Sequence, residues 1–268
     1  MRTLPFLSSL LLALCAGPAA AASCGDDGSG FQAWVESFKT DALAQGISRD
    51  TVASALSGVS YSTATIRLDR NQHVFKQSFE QFSGRMIPPR MARAKGMLAT
   101  HASTFAEIEE QFGVPKEIVV AIWGLETDFG AVGNTNSALS AVATLAYDCR
   151  RSDFFRGQLI DALRVIERGD LSPSEMIGGL HGEIGQTQFL PSSYAAFAVD
   201  FDGDRRADLI RSTADVLAST ANYLKGHGWK KGTSWMPGQP NFAVIKAWNK
   251  SDVYSRTVAE FARRLAEE

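Results

Sequence analysis

One glutamate stands at the end of an apolar stretch, in a setting where a carboxyl group can act as an acid. The segment "VVAIWGLETDFGAVGN" (119–134) runs from apolar residues into Glu126 and then meets two glycines. In a helix Glu126 shares a face with Ile122 and Trp123, because residues three and four apart are neighbours. Apolar surroundings disfavour the charged form, so this carboxyl could stay protonated and give its proton to a glycosidic oxygen. Taken alone, the pattern is also typical of a solvated or capping acid.

Neutral polar side chains and glycines fill a second stretch, in a combination that suits a sugar. This stretch, "GGLHGEIGQTQFLPSSY", spans 178–194. Its glycines allow the backbone to lie close to a ligand, and its amides and hydroxyls form neutral hydrogen bonds. The alternative is a polar loop before a helix that begins near Pro191. The polar side chains are Gln186, Gln188, Ser192, Ser193 and Tyr194.

Three aspartates alternate like the first ligands of a calcium-binding loop. Asp200, Asp202 and Asp204 fall at positions one, three and five and offer the hard oxygen donors that Ca²⁺ prefers. The backbone carbonyl of Arg206 would be the next donor. However, Arg205 replaces the glycine expected at the sharp turn, and another arginine occupies the twelfth position. The alternative is therefore an acidic turn that Arg205 and Arg206 neutralise.

The other residues able to bind metals or act as nucleophiles are poorly arranged. No two histidines stand at the spacing of zinc ligands, so a zinc site is not expected. Ser192 and Ser193 lack a G-x-S-x-G setting, which leaves serine hydrolase chemistry without support. The histidines are His73, His101, His181 and His227.

Composition and charge limit the class of protein. The 268 residues are 45% hydrophobic, which excludes disordered and fibrous proteins and allows one large domain or two smaller ones. Lys plus Arg (27) nearly balance Asp plus Glu (29), for a net charge of −2. Because no overall basic field exists, a nucleic-acid partner is not expected.

The N-terminus has the pattern of a secretory signal peptide. The residues "MRTLPFLSSLLLALCAGPAAAAS" contain an arginine, an apolar run and alanines that match an A-x-A cleavage site. We predict a signal peptide over 1–22, cleaved between Ala20 and Ser23, and a periplasmic mature protein. The apolar run is shorter than the ~20 residues that span a bilayer, so a transmembrane anchor is the less favoured alternative.

Two cysteines remain after the predicted cleavage. Cys15 is removed, which leaves Cys24 and Cys149 in a chain bound for an oxidising compartment. We predict a Cys24–Cys149 disulfide that ties the mature N-terminus to the rest of the protein. The competing interpretation is a lipoprotein anchored through Cys24, because small residues precede it. Ala21 is, however, a poor substitute for the usual leucine.

Apolar residues recur at three- and four-residue steps along most of the chain, which predicts a mainly helical protein. A long amphipathic helix is expected over 91–112, after two prolines that end any preceding helix. Brief two-residue alternation near 241–247 resembles a strand, and "KGTSWMPGQP" (231–240) is typical of a loop. Further helices are expected over 31–42, after Ser48, after Pro115, and over 137–147, 153–168, 191–198, 213–226 and 252–267.

Five motifs occur in the order and approximate spacing of one known family. They are "AIWGLETDFG", "GQTQFLPSSY", "DFDGD", "STANYLKGHGW" and "WNKSDVY". With these motifs the whole mature chain resembles the lytic murein transglycosylase B family. The resemblance implies a lysozyme-like helical core with an N-terminal helical extension and a small irregular or β element. It also implies one catalytic domain over 23–268, with the helical extension at about 23–90 and the core at about 91–268.

The resemblance further implies an activity. Proteins of that family cleave the β-1,4 bond between N-acetylmuramic acid and N-acetylglucosamine in peptidoglycan and leave a 1,6-anhydro ring. Glu126 matches the single catalytic acid, which would protonate the glycosidic oxygen and later accept the proton of the C6 hydroxyl. The substrate's own N-acetyl group would stabilise the positive charge. No cofactor is required for this chemistry, and we expect a monomer whose partners are glycan strands.

The same resemblance assigns roles to other residues. Gln188 and Asn249 match hydrogen-bond partners of the sugar, and Tyr223 matches a position near the acid. Trp248 stands where the family often has tyrosine, which keeps a stacking face but loses a hydroxyl. Asp215 would be the distal carboxylate of the calcium loop, and a calcium ion there would be structural.

Two further acids leave other functions open. Asp128 follows Glu126 by two residues, and a helix-capping role is expected for it. Glu183 stands where the family commonly has a small residue, so it is either solvent-facing or a second functional carboxylate. If Glu183 or Asp128 activated water, the protein would be a hydrolytic muramidase. A catalytically silent peptidoglycan-binding protein is the alternative from another class, and the intact Glu126 argues against it.

Overall fold

The computed structural model describes residues 23–71, 77–133 and 135–267. Helices dominate these residues, and the one sheet among them has two short antiparallel strands, β1 (Asn136–Ser137) and β2 (Ile177–Gly178). The helices are α1 (Phe31–Ala44), α2 (Arg49–Leu56), α3 (Thr63–Arg70), α4 (Phe79–Met86), α5 (Pro88–Thr100), α6 (Ala102–Phe112), α7 (Lys116–Thr127), α8 (Ala138–Tyr147), α9 (Ser152–Glu167), α10 (Pro191–Phe197), α11 (Thr213–Gly226), α12 (Pro240–Trp248) and α13 (Asp252–Ala266). The prediction of a mainly helical protein is confirmed.

Local sequence determines where many of these helices begin and end. The Ser48 hydroxyl accepts a hydrogen bond from the Thr51 amide at the start of α2, as predicted. Pro88 lies in the first turn of α5, where its missing N–H costs nothing. Gly113 ends α6 with a φ of 71°, a left-handed conformation that favours glycine.

Helix α7 lies at the centre of one of two groups of helices. It packs against α5, α6, α11 and α13, and its residues 118–125 are all buried. The N-terminal helices α1, α2 and α3 instead pack on α8 and α9. Because α10 contacts both α9 and α11, it joins the two groups of helices.

Two predictions about secondary structure are wrong. The helix expected over 91–112 is divided into α5 and α6 at His101, whose φ of −107° and ψ of 28° leave the helical region. The His101 ring then packs edge-on against Trp123, with centroids 6.0 Å apart. The alternation near 241–247 belongs to helix α12, where Phe242 and Ile245, three residues apart, face the core.

The predicted disulfide joins Cys24 to Cys149, across 125 residues of sequence. Beside it, the Gly25 amide donates a hydrogen bond to the Tyr147 carbonyl at 3.0 Å. The Tyr147 ring lies so close that a side chain at Gly25 would overlap its hydroxyl. The disulfide occupies the Cys24 sulfur, which a lipid anchor would need.

The predicted signal peptide, 1–22, lies outside the described residues. Within the described part of the chain, every helix is too short or too polar to cross a membrane.

Candidate active site

A cleft of about 680 Å³ opens beside the C-terminal end of α7. The walls come from this helix end, from the loop that follows β2, and from the segment where α12 ends. The cleft is lined by all the residues that the family resemblance assigns to the acid and to sugar binding, namely Glu126, Gln188, Tyr223, Trp248 and Asn249. The fold therefore brings together residues from widely separated parts of the chain.

Glu126 is a partly buried carboxyl group held by two hydrogen-bond donors. Its Oε1 accepts the indole N–H of Trp248 at 2.9 Å and the hydroxyl of Tyr254 at 2.6 Å. Burial raises the pKa of Glu126, the bonds from Tyr254 and Trp248 oppose that rise, and the charge of Glu183 adds to it. The net effect is a raised pKa, so Glu126 keeps its proton to a higher pH than an ordinary glutamic acid.

The backbone after Glu126 is fixed by a tight cap. Asp128 adopts a left-handed conformation (φ 54°), and its amide donates to the Gly124 carbonyl. Arg90 from α5 donates to the same carbonyl at 2.9 Å and lies 3.1 Å from the Asp128 carboxylate. Asp128 is thus a cap paired with a cation, and it does not line the cleft.

Gln186 ties this helix end to the loop after β2. Its side-chain oxygen accepts the Trp123 indole N–H at 2.8 Å, and its side-chain nitrogen donates to the Ile210 carbonyl at 2.9 Å. The Thr127 hydroxyl donates to the Gln186 backbone carbonyl at 2.5 Å. Gly130 (φ 75°) is required beside it, since a Cβ there would lie 2.4 Å from the Gln186 oxygen. Gln186 is therefore a structural tie and not a free group for a sugar.

The other neutral polar side chains of that loop either support the fold or line the cleft. The Gln158 side chain donates to Ser192, and the Tyr194 hydroxyl donates to the Ala207 carbonyl, so Ser192 and Tyr194 support the fold. Gln188 and Ser193 line the cleft. The composition of the loop could not separate these two sets, because the division depends on which side chains find a hydrogen-bond partner elsewhere in the fold.

Gln188 and Asn249 each keep one polar atom that binds nothing else among the described residues. The Gln188 amide nitrogen donates to the Gly185 carbonyl at 2.7 Å, which leaves its oxygen. The Asn249 oxygen accepts the Ser251 amide at 2.9 Å, which leaves its nitrogen. Both residues lie on the cleft wall, so one acceptor and one donor remain for a ligand.

The rings of Phe189, Tyr223 and Trp248 form an aromatic cluster beside Glu126. The Trp248 ring packs edge-on against Tyr223 and Phe189, with centroids 4.9 and 5.2 Å away. The Tyr223 hydroxyl donates to the Ala247 carbonyl at 2.9 Å. Tyr223 thus supports Trp248 and the end of α12, and its hydroxyl is not bonded to Glu126.

Tyr254 is a site residue that our sequence reasoning missed. It lies in the first turn of α13, is buried, and gives the shorter of the two hydrogen bonds to Glu126. The sequence contained one clue to its role, because Tyr254 is the last residue of the motif "WNKSDVY", five positions after Asn249.

Replacing Tyr254 by phenylalanine tests this contact. Tyr254→Phe removes a donor that favours the charged form of Glu126, so the pKa of Glu126 should rise. We expect kcat to fall by about tenfold, and the alkaline limb of its pH profile to move to higher pH. The measurement is the rate of glycan cleavage across pH. An unchanged profile would show that this hydrogen bond does not affect the acid.

Glu183 lies in the cleft and is not a solvent-facing side chain. Its carboxyl contacts His181, with 3.4 Å between Oε1 and Nδ1 and a bond of 3.2 Å from the His181 amide to Oε2. Burial alone would raise the pKa of Glu183, but the hydrogen bonds and charge of His181 outweigh it, so the net pKa is lowered. The cleft therefore holds two carboxyl groups with opposite tendencies to ionise.

The acidic loop lies away from the cleft. The carboxylate oxygens of Asp200, Asp202 and Asp204 converge within 4.8 Å of one another, and all three residues are exposed. Arg205 takes the left-handed conformation (φ 78°) of the expected glycine. The Arg206 guanidinium points to Glu175 at 3.0 Å, so it does not neutralise the three aspartates. His73, one of the four histidines, lies outside the described residues.

The Asp215 carboxylate anchors the backbone of this loop. It is fully buried, and burial raises its pKa. One carboxylate oxygen accepts the Phe201 amide at 2.7 Å, and the other accepts the Asp208 amide at 2.8 Å. These hydrogen bonds fix the backbone of the loop that carries the three aspartates. The carboxylate oxygens of the aspartates are hard donors of the kind that suit Ca²⁺.

A helical fold whose cleft is centred on one hydrogen-bonded carboxyl group, with a very small sheet beside it, is of the lysozyme-like class. Residues 30–239 match the family model for the Transglycosylase SLT domain. The chain belongs to this family, which confirms the family and the fold class expected from the motifs.

Named relatives agree with this assignment. Over 138 residues the chain is 40% identical to membrane-bound lytic murein transglycosylase B of Escherichia coli K12, a match covering 48% of this chain and only 38% of that relative. SltB3 from Pseudomonas aeruginosa in complex with NAG-anhNAM-pentapeptide is 31% identical, with a TM-score of 0.83, covering 89% of this chain and 80% of that one. Escherichia coli lytic transglycosylase Slt35 in complex with calcium is 25% identical, with a TM-score of 0.76, covering 92% and 96%.

Proposed function

We propose that this protein is a peptidoglycan lytic transglycosylase that uses Glu126 as its only general acid and base. The β-1,4 bond between N-acetylmuramic acid and N-acetylglucosamine would be cleaved, with a 1,6-anhydro ring as product. The observation that carries the proposal is Glu126 itself, a partly buried carboxyl of raised pKa in a sugar-sized cleft. The complex of SltB3 with NAG-anhNAM-pentapeptide is consistent with this product.

The hydrogen bonds of Glu126 suggest how one group serves both steps. Because Oε1 accepts two hydrogen bonds, the proton is expected on Oε2. That proton goes to the glycosidic oxygen as its bond to C1 breaks, and Trp248 and Tyr254 stabilise the carboxylate left behind. The carboxylate then accepts the proton of the C6 hydroxyl as the new bond from O6 to C1 closes the ring.

We assign sugar binding to the polar atoms that the cleft leaves free. The Gln188 oxygen and the Asn249 nitrogen would hydrogen-bond the sugar, and the aromatic cluster of Tyr223 and Trp248 would pack against it. The indole N–H of Trp248 is already used by Glu126, so a contact with the sugar would use the face of the ring.

Hydrolysis is the second candidate function, and the position of Glu183 is the observation in its favour. Asp128 is the weaker candidate for activating water, because it caps α7 and pairs with Arg90. A protein that only binds peptidoglycan would have no need for a carboxyl of raised pKa in its cleft.

Product analysis distinguishes these functions. Purified peptidoglycan is digested with the mature protein, and the products are identified by mass spectrometry. Anhydro ends, one water lighter than hydrolytic ends, are the expected result. Reducing ends alone would instead indicate a muramidase, and an unchanged polymer would indicate a binding protein.

We also propose that residues 1–22 form a signal peptide and that the mature protein acts as a monomer in the periplasm. Residues 23–268 would then be one catalytic domain, with a helical extension over about 23–90 and a core over about 91–268. The disulfide supports an oxidising compartment, and it argues against a lipid on Cys24.

Finally, we propose that the acidic loop binds a structural calcium ion. The convergent carboxylates of Asp200, Asp202 and Asp204 support this, as does the orientation of Arg206 away from them. The Arg206 carbonyl and Asp215 would complete the set of ligands. The complex of Slt35 with calcium supports the same assignment. No step of the chemistry would use the ion.

Calcium should raise the melting temperature of the chelator-treated protein. At a concentration about a hundred times the Kd, binding stabilises by about 2.7 kcal/mol, which corresponds to roughly 5 to 10 °C. Differential scanning fluorimetry measures the shift. Asp202→Asn should abolish it, whereas Asp50→Asn, an exposed aspartate in α2, should not. Equal shifts in all three proteins would contradict a site in this loop.

A further inference from the structure

A second carboxyl group, Glu183, shares the cleft with Glu126. Its side chain is only 27% exposed, and both of its oxygens contact His181. The contact with the His181 amide does not depend on pH, and the contact with the ring strengthens when the imidazole is protonated. Glu183 is therefore held in one place by a neighbour that favours its charged form.

The loop backbone leaves room for this carboxyl. A Cβ on Gly179 would come within 2.5 Å of Glu183 Oε2, and the Gly179 amide donates to the Glu183 carbonyl at 2.8 Å. The Gln188 oxygen lies 3.3 Å from the same Cβ position. Because Gly179 has no side chain, the carboxyl can lie against the backbone here, close to a group that we assign to sugar binding.

The two carboxyl groups differ in what surrounds them. Glu126 is contacted by an indole and a phenol, and its pKa is raised by burial and also by the charge of Glu183. Glu183 is contacted by a histidine, and its net pKa is lowered. When the environments of two carboxyls separate their pKa values in this way, one group suits an acid and the other a stable negative charge.

Other titratable groups also face the cleft. Tyr223 comes from α11, Lys250 follows α12 and is exposed, and Tyr254 of α13 touches Glu126. Burial raises the pKa of Tyr223, and burial together with the charge of Glu126 raises that of Tyr254, so both phenols stay neutral. Among the described residues that line the cleft, the two carboxyls, the histidine and the lysine therefore set its charge.

We propose that Glu183, held by His181, is the electrostatic partner of Glu126. Its charge keeps the proton on Glu126 until transfer, and it stabilises the positive charge that develops on the sugar as the bond to C1 breaks. No bond forms to Glu183. The proton moves from Glu126 to the glycosidic oxygen, which also takes the electron pair of the broken bond. This inference rests on the proposed function and adds to it an electrostatic role for Glu183 and a positioning role for His181.

The test removes the charge without changing the shape. Glu183→Gln should lower kcat by about tenfold with little change in KM. Without the nearby negative charge Glu126 loses its proton more easily, so the alkaline limb of the kcat profile should move to lower pH. Glu107→Gln, the same substitution at an exposed position of α6, should change neither quantity.

A second variant, His181→Ala, tests the acidic limb of the kcat profile. His181→Ala removes the ring contact, so the pKa of Glu183 should rise and the acidic limb should move to higher pH. Glu183→Asp, which retains the charge, should recover part of the lost rate. Thermal unfolding of each variant identifies any loss of folding, and a purely structural role would not move the two limbs in opposite directions.

Three outcomes would overturn the proposal. One is a Glu183→Gln enzyme with the rate and profile of the wild type. The second is a variant that loses only reducing-end products, because Glu183 would then activate water. The third is a Glu183→Asp enzyme that folds but is no more active than Glu183→Gln. Failure of the proposed function is recognised separately, by the absence of anhydro products from the wild type.

Discussion

Glu126→Gln is expected to lower kcat on purified peptidoglycan by about a hundredfold to ten-thousandfold. The amide cannot give a proton to the glycosidic oxygen, and it cannot accept one from the C6 hydroxyl. Its carbonyl oxygen can still accept the hydrogen bonds of Trp248 and Tyr254, so the geometry of the cleft should persist. The measurement is the release of soluble products, identified by mass spectrometry.

The matched control is Glu117→Gln, because Glu117 lies in the first turn of the same helix α7 and outside the cleft. We expect it to keep the wild-type rate. The melting temperature of Glu126→Gln should equal or exceed that of the wild type, since burial already disfavours the charge on Glu126. If Glu126→Gln retained full activity, the assignment of the acid would be wrong whatever the product.

The second large effect is expected on stability. Replacing both Cys24 and Cys149 by serine should lower the free energy of unfolding by about 4 to 5 kcal/mol, because the disulfide closes a loop of 125 residues in the unfolded chain. The N-terminal segment that packs over Tyr147 would lose its covalent anchor. Urea unfolding of the mature protein, monitored by circular dichroism, measures the change.

Reduction of the wild-type protein provides the control for the serine side chains. The reduced wild type and the double variant should unfold at similar urea concentrations, and the oxidised wild type at a higher one. Equal midpoints for oxidised and reduced wild type would contradict a stabilising disulfide. The intact mass of the mature protein adds an independent check, since a lipid on Cys24 would increase it and exclude the disulfide.

Most of the helices were predictable because their signals are local. The period of apolar residues identified α1, α7, α8 and α13, and the Ser48 cap and the prolines at the start of α5 marked helix boundaries. The errors occurred where packing overrode a local pattern. His101 interrupts an apparently continuous helix, and its ring packs against Trp123. The residues near 241–247 form a helix, in which two buried apolar residues three positions apart face the core.

The candidate site was only partly predictable. Glu126 and the cleft residues Gln188, Tyr223, Trp248 and Asn249 came from a local apolar pattern and from motifs resembling a family. The hydrogen-bond partners of these side chains could not be predicted from either source. The loop after β2 offered several equivalent amides and hydroxyls, and packing alone determined which of them support the fold and which line the cleft.

A mainly helical chain with one acid in an apolar setting follows from local sequence, because residues three and four apart share a helix face wherever the helix lies. The groups that contact this acid depend on the fold. Trp248 and Tyr254 are 122 and 128 positions from Glu126, and Glu183 comes from a separate loop. The pKa of a carboxyl depends on burial, hydrogen bonds and nearby charges in space, and local spacing does not specify those contacts.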